Sequence, residues 1–183
     1  MYYVLEDTGE AIIVGGVEEA HSTLANRFAR GIKLQPNEQP EGLQVVIESS
    51  PEQYPDYFEL QATPIASARF LSALQAAGVN NYDAYPVAIH EAERTVTGWH
   101  VINFLGRVSC MDTERTVCTR YKSRIARLKS LAIDETRIHG LPLFRLHEYE
   151  LLVLVSQQVK TALSGLSGLR LPEAEGWSDQ HRF

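Results

Sequence analysis

The chain has 183 residues, 44% of them hydrophobic and 22% charged, with a formal net charge of −6. It is long enough to bury a proper core and too apolar for a disordered chain, while two cysteines are too few for a disulfide scaffold. No window approaches the roughly 18 consecutive apolar residues of a membrane helix, and the opening MYYVLEDTGE lacks the parts of a secretory signal, so a cytoplasmic location is expected.

Tyr2–Leu5 reads as a short strand ended by a polar turn, and Ala11–Val14 as a second strand closed by Gly15-Gly16. That glycine pair lacks the GK[ST] of a phosphate loop and the third glycine of a dinucleotide fingerprint, so it reads as a turn or bulge. His21–Arg30 has Leu24 and Phe28 four apart with Gly31 as a stop, the pattern of a short helix. Residues 35–42 are a loop by their prolines and glycine, Leu43–Glu48 returns to strand character, and Tyr57–Leu60 is a further short strand. Thr63 and Pro64 look like the cap and first residue of a helix with Ala66, Phe70, Ala73, Leu74 and Ala77 on one face, closed by Gly78. Tyr82–Ile89 alternates as a strand, with Pro86 arguing for an edge or a bulge. Residues 90–98 read as a polar connection. Trp99–Val108 is apolar on both faces over much of its length, which places it in the middle of a sheet. Its Asn103 calls for a hydrogen bond to a neighbouring loop or for a binding role. Leu128–Ile133 reads as a strand, and Leu143–Leu146 and Leu151–Val155 as two more across a hairpin-length loop. Ser156 caps a last helix carrying Val159, Leu163 and Leu166.

These elements predict a single α+β domain, a largely antiparallel sheet with the 64–77 and 156–166 helices packed on one face. Residues 1–62 read as an irregular acidic segment wrapping a 63–171 core, and 172–183 as a loose tail that Trp177 pins in part. No internal repeat of 20–50 residues is evident.

Charge is unevenly spread. Residues 1–64 carry eleven carboxylates against three basic side chains, whereas Arg115, Arg120, Lys122, Arg124, Arg127 and Lys129 form a run with no acid between them. The two halves either neutralise each other in the fold or present surfaces of opposite sign. His147 and His90 each stand near carboxylates, Glu148 for the first and Glu91 and Glu93 for the second. Both groups sit in polar connections, and neither has the spacing of a helical metal motif. Cys110 and Cys118 read as inert thiols, or as a pair meeting across a hairpin. No serine lies in G-x-S-x-G. No cofactor or metal site is therefore expected. The basic run has Tyr121 as its one aromatic, thin for a nucleic-acid stacking platform.

Several segments, in order, carry a family resemblance: YYVL at Tyr2–Leu5, PxxSxRFLxAL at Pro64–Leu74, AAGVNNYDAYPV ahead of WHVINFLGRVSCMD, LAIDETRIHGLPLFRL at Leu131–Leu146, and LLVLVSQQVKTAL with GLSGLR behind it. Together they resemble the bacterial immunity-protein domain typified by a myxobacterial protein, formerly a domain of unknown function and associated with polymorphic toxin systems. The resemblance implies a non-catalytic cytoplasmic protein that binds and neutralises a cognate toxin. It brings no site residues with it. By charge alone, Glu18, Glu19, Glu48, Glu52, Asp56 and Glu59 are the expected contact surface for a basic toxin cleft, and Tyr54 and Tyr57 are added as aromatic anchors. The rival readings are a nucleic-acid-binding module built on residues 115–129 and an enzyme with an unrecognised pocket.

Overall fold

The computed structural model describes residues 1–9, 14–17, 22–49, 52–60, 62–91 and 94–181. In chain order the elements are β1 (Tyr2–Asp7), β2 (Val14–Val17), α1 (Ser22–Ala29), β3 (Leu43–Ser49), β4 (Tyr57–Leu60), β5 (Thr63–Ser67), α2 (Ala68–Ala76), β6 (Tyr82–Glu91), β7 (Arg94–Phe104), β8 (Arg107–Val108), β9 (Val117–Tyr121), β10 (Arg124–Ser130), β11 (Leu143–Leu146), β12 (Val153–Ser156), α3 (Gln157–Leu163) and β13 (Leu169–Arg170). The period-2 alternation of strand side chains sorts them into layers. Tyr3 and Leu5 of β1 enter one core cluster, and Tyr2 and Val4 enter another. Val153 and Val155 of β12 divide from Leu154 in the same way. On β7, Ile102 and Phe104 face the first cluster, while Val101 faces a third with Phe28, Val45 and Ile89.

The expectation of one largely antiparallel sheet with two helices is corrected: the fold mixes helix and strand, is mostly sheet, and divides its strands among several sheets. One has six strands in the order β2-β3-β6-β7-β5-β4, one has five in the order β13-β1-β12-β11-β8, and β9 and β10 form a separate two-stranded ribbon. The β3–β6 and β8–β11 pairs are parallel and the others antiparallel. Residues 1–62 do more than wrap a core, since they supply β1 to the five-stranded sheet and β2, β3 and β4 to the six-stranded one. Helices α2 and α3 share the first cluster with both sheets, which is how the two sheets are joined. None of the helices among the described residues is long and apolar enough to cross a membrane.

Local signals and tertiary pairing compete at α2. Thr63 and Pro64 are extended, because β5 pairs with β4 on one side and β7 on the other, burying Ile65 and Ala66. Pro64 precedes the β7 ladder, which begins at Ile65, so its missing N–H removes no bond there. The helix instead starts at Ser67, whose Oγ accepts from the Phe70 N–H at 3.3 Å. Phe70 and Leu74 are fully buried, each contributing about 1.5–3 kcal/mol. The same solution appears at α3, where Ser156 ends β12 and accepts from the Val159 N–H. Residues 65–74 and 154–163 share one pattern: two apolar residues, a capping serine, a buried apolar residue three positions on, and a closing Ala-Leu. One short strand–cap–helix unit thus occurs twice.

The central placement of the Trp99 strand is as expected, although β7 begins at Arg94 and forms a long hairpin with β6 in place of a polar connection. It ends at Phe104, not Val108, because Asn81 takes the backbone of Leu105: Leu105 N–H donates to Asn81 O and Asn81 Nδ2 donates to Leu105 O, each at 2.8 Å. The chain then crosses to the other sheet as β8. Pro86 lies inside the sheet rather than on its edge, just before the β3 ladder starts at Val87 and next to a register shift between Val87 and Ile89. Asn103 is buried, and its Nδ2 donates to Ile32 O at 2.9 Å, the structural bond to a loop.

The tail packs further than a single Trp177 contact. Trp177 is buried and donates from Nε1 to Glu6 at 2.7 Å, Leu131 N–H donates to Trp177 O, and Asp179 accepts from the Leu128 N–H at 2.8 Å.

Candidate functional site

The eight residues expected to form an acidic contact surface do not share one. Glu18 and Glu19 lie outside the described residues, and Glu48 belongs to β3, its side chain outside the description. Glu52 is exposed. Tyr54, Asp56 and Tyr57 are interior, which corrects their assignment as surface contacts. Tyr57 stacks on Phe70 with ring centroids 5.2 Å apart, and its hydroxyl donates to the half-buried Glu59 at 2.8 Å. Tyr54 packs against Phe58 and Trp99 and donates to Glu91. Aromatic area of this size is drawn into a core when a facing helix or sheet offers a partner; α2 does so for Tyr57 and the six-stranded sheet for Tyr54.

Asp56 is a junction. Its carboxylate accepts from Ser67 Oγ at 2.7 Å, from Ser167 N–H at 3.1 Å, from Ser167 Oγ at 3.2 Å and from the exposed Arg69 at 3.3 Å. Burial pushes its pKa up, but the hydrogen bonds from Ser67 and Ser167, with the charge of Arg69, outweigh burial and hold it below the ordinary value. That is the chemistry of a structural clasp between β4, α2 and the loop after α3.

Other candidate groups are satisfied locally only in part: the buried His90 Nε2 and Glu148 Oε2 have no hydrogen-bond partner among the described residues. His90 Nδ1 pairs with Thr95 Oγ1 at 3.0 Å, and Glu91 pairs with Arg94. Burial, with Glu148 and Asp134 nearby, pushes the Cys110 thiol up to about 12, and Cys118 is half-buried; both are free. No group of three or more His, Cys, Asp or Glu able to hold a metal occurs among the described residues.

The basic run folds as the β9–β10 ribbon. Cys118 faces Leu128 and Arg120 faces Ile125 across it, and Leu128 anchors it in the core beneath the five-stranded sheet. Much of the rest is exposed, including Val117 at 53% and Tyr121 at 71%. Arg115 pairs with Asp112 and Glu175, and Arg127 stands 3.8 Å from Asp179. Arg120, Lys122, Arg124 and Lys129 form no ion pair among the described residues. At the tip, Lys122 adopts φ +54, a left-handed conformation that disfavours side chains.

Beside the ribbon lies a cleft of about 740 Å³. Arg120, Ser123 and Arg124 form one wall, the 147–151 turn another, and Arg30 at the end of α1 a third. Glu150 in that turn is held by Arg30 at 3.4 Å and by Arg107, and its carbonyl accepts from Arg145 at 3.0 Å. Glu148 accepts from Ser109 Oγ at 2.5 Å. The basic run was visible in sequence, but its convergence with Arg30 and His147–Leu151 was not. A Lys-Ser hairpin tip carries none of the Gly or Asn signals that mark two-residue turns.

No family model matches the chain, and no curated protein matches it in sequence.

Proposed function

We propose that the protein is a non-catalytic immunity protein that binds and neutralises a cognate toxin in the cytoplasm. The observation that carries a binding role is the ribbon. It exposes a tyrosine and four cations that serve no ion pair within the described chain, and a tyrosine and arginines of this kind form interface anchors while the charges steer association. The immunity reading adds the family resemblance, whose segments fall on β1, β5–α2, β6, β7–β8, β11, β12–α3 and β13, strands of both sheets and the two helices between them. In that reading the scaffold is shared and the outer surface selects the toxin. The test identifies the gene next to this one and, where it encodes a toxin-like protein, co-expresses the two. Cells should survive and the two purified proteins should co-elute. Unabated toxicity in the presence of folded protein, or a neighbouring gene that encodes no toxin, overturns the proposal.

A further inference from the structure

An acidic protein, of net charge −6, gathers positive charge at one cleft. Four guanidinium groups, from Arg30, Arg107, Arg120 and Arg124, stand in or beside the space bounded by the 147–151 turn. Two carboxylates are present there, Glu148 and Glu150. Arg30 and Arg107 both converge on Glu150, so that pairing leaves Arg120 and Arg124 on the opposite wall without ionic partners among the described residues. Unpaired guanidiniums lining a concave surface are poised for bidentate contact with carboxylates or phosphates.

We infer that this cleft seats a carboxylate-rich segment of the bound partner protein, read by Arg120 and Arg124; the inference rests on the binding role proposed above. The volume lies within the roughly 300–1,000 Å³ of ligand pockets and exceeds what one small anion fills. Tyr121 and Val117 on the same ribbon supply apolar contact area, which charge alone does not provide. A nucleic acid fits less well. Its phosphates would extend past the cleft over a chain of net negative charge, and the ribbon offers one aromatic for stacking.

The test titrates the full chain with a fluorescein-labelled oligoglutamate peptide, and in parallel with a single-stranded oligonucleotide of equal formal charge. The wild-type protein should bind the peptide at or below about 1 mM. Arg120→Glu with Arg124→Glu should weaken that binding by about tenfold or more, since both contacts turn repulsive. Lys129→Glu, a charge reversal on the same ribbon outside the cleft, should stay within about twofold. All three positions are exposed, so unchanged melting temperatures verify folding. No peptide binding, or a loss that Lys129→Glu reproduces, overturns the assignment. Tighter oligonucleotide binding with a steeper salt dependence overturns it in favour of nucleic acid. In cells, full protection by the double variant overturns the cleft and leaves the immunity reading standing. Failure of the wild type to protect removes that reading, and the peptide titration still decides the cleft.

Discussion

Replacing Asp56 by alanine strips one carboxylate from three elements at once. Ser67 Oγ, Ser167 N–H and Ser167 Oγ lose their acceptor, and Arg69 loses its partner. Arg69 is 70% exposed, so its share is at most a few tenths of a kcal/mol after screening. The serine contacts are with a buried charge, where each bond is worth about 1.5–3 kcal/mol. Ser67 keeps its role as cap for Phe70 and Asp56 keeps its backbone bonds, which limits the total to about 3 kcal/mol. With a urea slope of about 2 kcal/mol/M, the midpoint should fall by about 1.5 M with the slope unchanged. Asp56→Asn should lie between, because one acceptor oxygen survives while its NH2 meets the Ser167 donors. Acid provides a second arm. The folded pKa of Asp56 is lowered, so its stabilisation is present above the ordinary value of about 4 and is lost as pH falls through the folded value. The gap between wild type and Asp56→Ala should therefore narrow from pH 5 to pH 3, about the carboxylate range. A midpoint shift under about 0.5 M, or a gap that widens in acid, refutes the clasp.

Gly31→Ala places a Cβ 2.5 Å from Phe104 O and 3.1 Å from Arg145 Cδ at φ +61, whereas Gly78→Ala at φ +71 meets nothing within 4 Å. Gly78→Ala should cost about 1–2 kcal/mol for the left-handed backbone alone, and Gly31→Ala clearly more by urea unfolding; equal losses would refute the close approach. Deleting residues 172–183 removes Trp177 and Asp179 from the core under β10 and should destabilise by at least the roughly 3–5 kcal/mol of a buried tryptophan. An unchanged thermal melt would mean that the tail contributes nothing. In native protein, alkylation followed by mass spectrometry should label Cys118 well before Cys110, whose thiol is buried and raised to about 12. Equal labelling rates would contradict that difference.

Much of the scaffold was legible from local patterns. Tyr2–Leu5, Leu43–Glu48, Leu143–Leu146 and the Ser156 cap appear as elements near their expected bounds, and the two-faced apolar Trp99 segment lies inside its sheet. Some polar requirements could be read without the fold, as Asn103 illustrates: a buried amide on a central strand calls for a partner, and Ile32 O takes its Nδ2, while its buried Oδ1 has no partner among the described residues. The β9 strand and the cleft were not legible, because exposed polar ribbons carry little periodicity and the cleft joins segments far apart in the chain, Arg30 with Arg120 and the 147–151 turn.

By itself the sequence determined the aliphatic core positions of the main strands, the place of several strands and of the Ser156 cap, and that charge is divided unequally along the chain. Those properties follow from burial and period, which act within a few residues. Only the tertiary structure decided where α2 begins, since Thr63 and Ser67 are both good caps and the β4–β5–β7 ladder selects the second. It also decided that Asp56 and Tyr57 are interior, while Arg120 and Arg124 are exposed without ionic partners among the described residues. Ionisable and aromatic side chains suit either environment, and the partners that long-range packing brings to them settle which one they occupy.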